Sequence, residues 1–236
     1  MDWTRYDAAL FDLDGVITPT AEVHMRAWSR LFTGYLQDRP DVAPYTDADY
    51  FAYVDGKPRY DGVRSFLASR GIELPEGTPD DDPATETVCG LGNRKNDTFG
   101  QVLRDEGVTA YPGSLTLVRA LLRRGTRLAI VSSSRNARPV LEAAGIIDDF
   151  PVIVDGRVAA DKALPGKPAP DTFAHAAELL GVANERAVVL EDAVSGVQAG
   201  RAGAFGLVVG VDRGAGAEAL ISHGADIVVQ DLEELL

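Results

Sequence analysis

Cysteine is nearly absent: among 236 residues Cys89 stands alone, so an internal disulfide is excluded. The stretch "TVCGLG" around it offers no partner at metal-ligand spacing, which leaves Cys89 as a small hydrophobe. No apolar run is long enough to span a bilayer. The opening "MDWTRYD" lacks the basic-then-apolar order of a signal peptide, and a cytoplasmic protein is expected. Positive charge is scarce too: 23 Lys and Arg face 36 Asp and Glu, a net charge of −13. That argues against nucleic acid and against an anionic membrane surface as partners, since both need a basic face. It leaves open a small anion held by a few placed cations. No internal repeat is present.

The hydrophobic share of 45% is that of a soluble chain with a sizeable core. In the second half, apolar β-rich runs alternate with helical patterns. "RLAIVSS" (127–133), "FPVIVDG" (150–156), "AVVLED" (187–192), "GLVVGVD" (206–212) and "DIVVQ" (226–230) read as strands. Between them, "ARPVLEAAG" (137–145), "PDTFAHAAELLG" (170–181), "AVSGVQAGRAGA" (193–204) and "AGAEALISHG" (215–224) read as helices. The helix at 170–181 starts with proline and ends with glycine, as helix termini prefer. Continuous Val/Ile/Leu runs mean strands covered on both faces. The expected fold is α/β, a doubly wound parallel-sheet (Rossmann-like) core with an inserted helical cap. The core is expected over 1–19 and 107–236 and the cap over 20–106, where helical patterns at 21–38, 60–71 and 96–107 have no strand between them. "ELPEGTPDDDPAT" (73–85) reads as an exposed connection inside the cap.

Ligands of an open parallel sheet bind beyond the carboxyl ends of its strands, so the polar residues at those ends carry the functional signal. The first strand, within "ALFDLDGVIT", runs into Asp12 and Asp14; the strand at 127–131 runs into Ser132, Ser133 and Ser134; the strand at 187–190 ends in Glu191 and Asp192. Burying a carboxylate without a partner is expensive. "PGKPAPD" adds Lys167 on a loop before a helix. Four carboxylates, hydroxyls and one ammonium describe a Mg²⁺ site with room for phosphate, because hard cations take carboxylate oxygens and complete their shell with water and substrate phosphate. Glu191 and Asp192 also suit a helix cap, and Asp14-Gly15 also suits a turn, but a turn does not require Asp12.

"DLDGV", "VSSS", "GKPAPD" and "LEDAVSGVQAGRAGA", in that order, resemble the four motifs of the haloacid dehalogenase superfamily. "DLDGVIT", "TAEVHMRAW", "GNRKND" and "YPG" look like the β-phosphoglucomutase-like group within it. The resemblance implies Asp12 as the nucleophile that forms an aspartyl-phosphate and Asp14 as general acid/base. It implies Mg²⁺ on Asp12, the backbone carbonyl of Asp14 and Asp192, with help from Glu191. Ser132 would bind the transferring phosphoryl oxygens, and Lys167 would neutralise them and orient Asp12. In the cap it implies that Arg59, Arg94, Lys95 and Asn96 contact a sugar phosphate and that His24 couples cap closure to Asp14, with Ser134, Arg135 and Asn136 contributing from the core. Trp28 is expected to pack. The implied activity is conversion of β-glucose 1-phosphate to glucose 6-phosphate by a monomer, with a sugar-phosphate phosphatase as the alternative. Dehalogenase chemistry is disfavoured because those relatives lack the second aspartate. A phospho-receiver module is disfavoured by the helical insert. Pro19, where relatives often carry an acid, departs from the pattern and stiffens the hinge. The long cap stretch "ELPEGTPDDDPATETVCG" also departs from it.

Overall fold

The computed structural model describes residues 1–236, apart from the side chain of Glu106. The chain forms two compact units, Met1–Thr20 with Val108–Leu236, and Ala21–Gly107. In the first, six strands pair in a single sheet: β1 (Ala8–Phe11), β2 (Arg127–Val131), β3 (Val152–Val154), β4 (Ala187–Glu191), β5 (Leu207–Val211) and β6 (Ile227–Val229). Their order is β3-β2-β1-β4-β5-β6, and every pairing is parallel. This is the doubly wound α/β fold that the alternating apolar runs predict.

All four residues of β1 are buried. Leu10 lies between Ala129 of β2 and Val189 of β4, and the helix Asp171–Leu180 packs Phe173, Ala176 and Ala177 into the same cluster as Leu10, Val131 and Val189. That helix ends in Gly181, whose left-handed backbone (φ 67°) lets the chain turn out of the last turn. After β3 at one edge, the chain crosses back past β1 to β4 on its other side. The strand order therefore reverses at β1, and a crevice for ligand opens beyond its carboxyl end.

The second unit is helical. Its helices Thr20–Leu36, Arg59–Ser69 and Val88–Glu106 enclose an aromatic core in which Phe32 stacks on Phe66 at 3.9 Å and on Trp28 at 5.2 Å. Trp28 packs, as expected. A turn at Asp47–Asp49 runs into a π-helix, Tyr50–Val54, which the sequence pattern does not disclose. The helix expected from 96 starts instead at Val88, capped by Thr87 Oγ1, which accepts from Gly90 N–H at 2.9 Å. Its glycines mask the helical pattern. Gly92 is there for contact: a Cβ would stand 2.7 Å from the ring of Tyr60. No helix among the described residues is long and apolar enough to cross a membrane.

Candidate active site

Asp12 is the first residue after β1, held in register by its N–H, which donates to Leu190 O at 2.9 Å. Lys167 meets it there. The Nζ donates to Asp12 Oδ1 at 2.5 Å, to Val131 O at 3.0 Å and to Glu191 Oε1, so all three ammonium protons are engaged. Lys167, Glu191 and Asp12 are buried, Glu191 completely. Burial pulls the Lys167 pKa down, but Asp12 and Glu191 outweigh it and hold the ammonium above the usual lysine value. Asp12 goes the other way from an ordinary ion-paired acid. Burial pushes its carboxyl well above the usual carboxylate range, Lys167 opposes this, and the nearby Glu191 and Asp14 charges add to the rise.

The site is therefore short of positive charge, as expected where one ammonium faces several carboxylates. A second cation fits that shortage. Asp192 lies against the turn that carries Asp14, since a Cβ on Gly15 would fall 1.8 Å from Asp192 Oδ2. Among the described residues no three carboxylate, imidazole or thiol side chains form a ready-made cage. A magnesium ion does not need one, because it binds through one or two carboxylates and keeps water and phosphate on its other positions. Glu191 Oε1 accepts from Lys167 and its Oε2 accepts from the N–H of Ala193 at 2.9 Å, and each carboxylate oxygen keeps a second lone pair.

Asp14 follows in the turn, where Thr20 Oγ1 donates to its Oδ1 and Thr18 and Thr20 share a hydrogen bond of 2.7 Å. Ser132 Oγ donates to Asp14 Oδ2 at 3.4 Å and accepts from Ser134 N–H at 3.1 Å. Ser134 Oγ in turn accepts from Asn136 N–H at 3.1 Å. Ser132, Ser134, Arg135 and Asn136 thus sit on one loop between β2 and the helix Ala137–Ala143, from which Ser132 reaches Asp14. Thr18 and Thr20 escaped the sequence reading. The signal was present in "TPT", two hydroxyls within six residues of Asp14.

In the cap unit the expected basic cluster divides. Arg59 Nη2 donates to Asn96 Oδ1 at 2.6 Å and Nη1 to Asn93 Oδ1 at 3.3 Å. Arg94 Nε donates to Pro83 O at 2.8 Å and ties down the long connection. Lys95 is buried, hydrogen-bonded to His24 Nδ1 and 5.1 Å from the rings of Trp28 and Phe99. The His24 ring stacks on Phe99 at 4.1 Å.

The fold and the site together define an α/β enzyme with its carboxylates at a topological switch point. A model of the haloacid dehalogenase-like hydrolases matches residues 6–203, and the chain belongs to that family. It is 52% identical to the β-phosphoglucomutase of Mycobacterium bovis over 97% of this chain and 91% of that protein. It is 31% identical to hexitol phosphatase A of Escherichia coli, over 98% and 94%. The crystal structure of β-phosphoglucomutase from Clostridium difficile superposes with a TM-score of 0.79 at 26% identity, covering 98% of this chain and 93% of that one.

Proposed function

We propose that the chain is a Mg²⁺-dependent β-phosphoglucomutase of the cytoplasm, a monomer that converts β-glucose 1-phosphate to glucose 6-phosphate through an aspartyl-phosphate on Asp12. The observation that carries the reading is the buried Asp12–Lys167–Glu191 cluster at the end of β1, in a chain 52% identical to a protein of that name. An Asp12 oxygen attacks phosphorus as the bond from phosphorus to the sugar oxygen breaks. Asp14 gives its proton to the departing oxygen and later takes one from the hydroxyl that accepts the phosphoryl group. Lys167 orients Asp12 and offsets the charge of the phosphoryl oxygens, and the Ser132 hydroxyl donates to them. Mg²⁺ on Asp12, Asp192 and the Asp14 carbonyl supplies the remaining positive charge when bound. Glu191 orients Lys167 and would assist Asp192 in holding the metal.

Ser134, Arg135 and Asn136 contact the substrate from the core. Arg59, oriented by Asn96, takes the phosphate that does not react. Lys95 and His24 act as a pair, and Arg94 holds the cap connection. A mutase must keep water from the aspartyl-phosphate until a sugar hydroxyl accepts its phosphoryl group, and must then hold the resulting sugar bisphosphate while it reverses, which is why the cap carries the specificity.

β-Glucose 1-phosphate, primed with the sugar bisphosphate, should give glucose 6-phosphate faster than inorganic phosphate appears. Arg59→Ala should lower isomerisation far more than hydrolysis of a small aryl phosphate. The second reading, a sugar-phosphate phosphatase, is favoured by the hydrolase description of the family and by the likeness to hexitol phosphatase A. Release of inorganic phosphate from several sugar phosphates, with no isomerisation even when primed, selects it.

A further inference from the structure

Three successive carbonyls of the turn after β1 are each held from elsewhere in the first unit. Arg213 Nε donates to Gly15 O at 2.9 Å, Ser114 Oγ donates to Val16 O at 2.6 Å, and the Tyr111 N–H donates to Ile17 O at 2.9 Å. Arg213 lies just beyond β5, another strand end at the carboxyl edge of the sheet. Its guanidinium sits 4.1 Å over the Tyr111 ring, and its Nη1 donates to Gln230 O at 2.8 Å. Its Nη2 is buried, with no acceptor among the described residues. A guanidinium held this closely calls for a reason beyond packing.

Gly15 supplies one. Its φ of +85° and the Asp192 carboxylate pressed against it exclude any side chain. The position directly after Asp14 is therefore filled by the residue with the loosest backbone. Rotation about Gly15 would swing the Asp14–Gly15 peptide and the Asp14 carboxyl with it. The Gly15 N–H donates to Thr18 O at 2.8 Å on the near side, and Arg213 completes the restraint by holding the carbonyl on the far side of the glycine. We propose that Arg213 is a positioning residue for Asp14: it restores to the turn the rigidity that Gly15 removes, and so holds Asp14 in line for proton transfer. The inference rests on the acid/base reading of Asp14 and adds to it a residue remote in sequence.

The test is a double-mutant cycle on purified full chain, followed with β-glucose 1-phosphate, or with a sugar phosphate releasing inorganic phosphate if the hydrolytic reading prevails. Asp14→Ala alone should slow turnover by roughly 10²- to 10⁴-fold, the usual worth of a positioned proton donor. Arg213→Met alone should lower kcat by about 10- to 100-fold with KM within about twofold, the scale of a small misplacement of a reacting group. In the Asp14→Ala background the same substitution should cost less than about threefold, because effects routed through one group do not multiply. Arg213→Lys, which keeps one donor, should recover part of kcat. An undiminished loss in the Asp14→Ala background overturns the proposal while leaving the role of Asp14 intact. Wild-type turnover by Asp14→Ala removes the reading of Asp14 itself. If neither Arg213 variant folds, by circular dichroism, Arg213 is structural and the proposal fails.

Discussion

Asp12→Asn is expected to abolish phosphoryl transfer, by on the order of 10⁴-fold or more, as removal of a nucleophile does, while leaving the fold intact. The amide is isosteric with the carboxylate, and its oxygen can still accept the Lys167 bond that Asp12 Oδ1 accepts at 2.5 Å. What is lost is the anionic oxygen that attacks phosphorus. The fold should tolerate the change because burial already disfavours the charged form of Asp12. Thermal unfolding should occur at or slightly above the wild-type temperature. Mass spectrometry after exposure to the bisphosphate should find a phosphoryl group on the wild-type chain and none on the variant. Chelation of Mg²⁺ should silence the wild type reversibly. More than a few per cent of activity in well-folded Asp12→Asn protein would remove Asp12 from the nucleophile role.

The core was legible in the sequence because a buried parallel strand can hold polar residues only at its ends. Asp12, Ser132, Glu191 and Asp192 announced themselves by ending apolar runs, and the structure sets their strands side by side as β1, β2 and β4. The same test applied to "LVVGVDR" would have raised Arg213 as well. The bond from Lys167 to Glu191 was less legible, since nothing in the sequence around a strand-end carboxylate marks a buried lysine beside it. The different partners of the "RKN" triplet were not legible. Consecutive residues on a helix point about 100° apart, so Arg94, Lys95 and Asn96 take separate bonds. They reach Pro83, His24 and Arg59 respectively. The start of the helix at Val88 was hidden because Gly90 and Gly92 read as breakers, while close packing of Gly92 against Tyr60 is invisible in one dimension.

Lys167→Met should both destabilise and inactivate the protein, and the two losses should answer differently to Mg²⁺. The methionine fills much of the same volume, so the change removes charge more than packing. It strands two buried carboxylates, Asp12 and Glu191, that now share one ammonium. Breaking a buried ion pair from one side costs about 3–5 kcal/mol, and the upper part of that range is expected here because two partners are orphaned. The wild-type contribution has a definite pH range. The folded pKa of Lys167 is raised, so its stabilisation is fully present below the usual lysine pKa and is lost only as pH rises through the higher folded value. Lys167 itself does not titrate across neutral pH, but the orphaned Asp12 carboxyl, already raised by burial, takes up a proton as pH falls. The deficit should therefore shrink toward acid pH and grow toward alkaline pH. Added Mg²⁺, by pairing with Asp12, should restore part of the stability, and Glu191→Gln in the same chain should restore more by neutralising the second orphan. Neither should return activity, because the ammonium that offsets the phosphoryl oxygens is still missing; loss of one such donor costs about 10²- to 10³-fold. Denaturant unfolding with and without Mg²⁺, beside turnover, separates the two effects. A Lys167→Met chain as stable as wild type without Mg²⁺ would mean that the buried carboxylates do not depend on Lys167 for their charge balance.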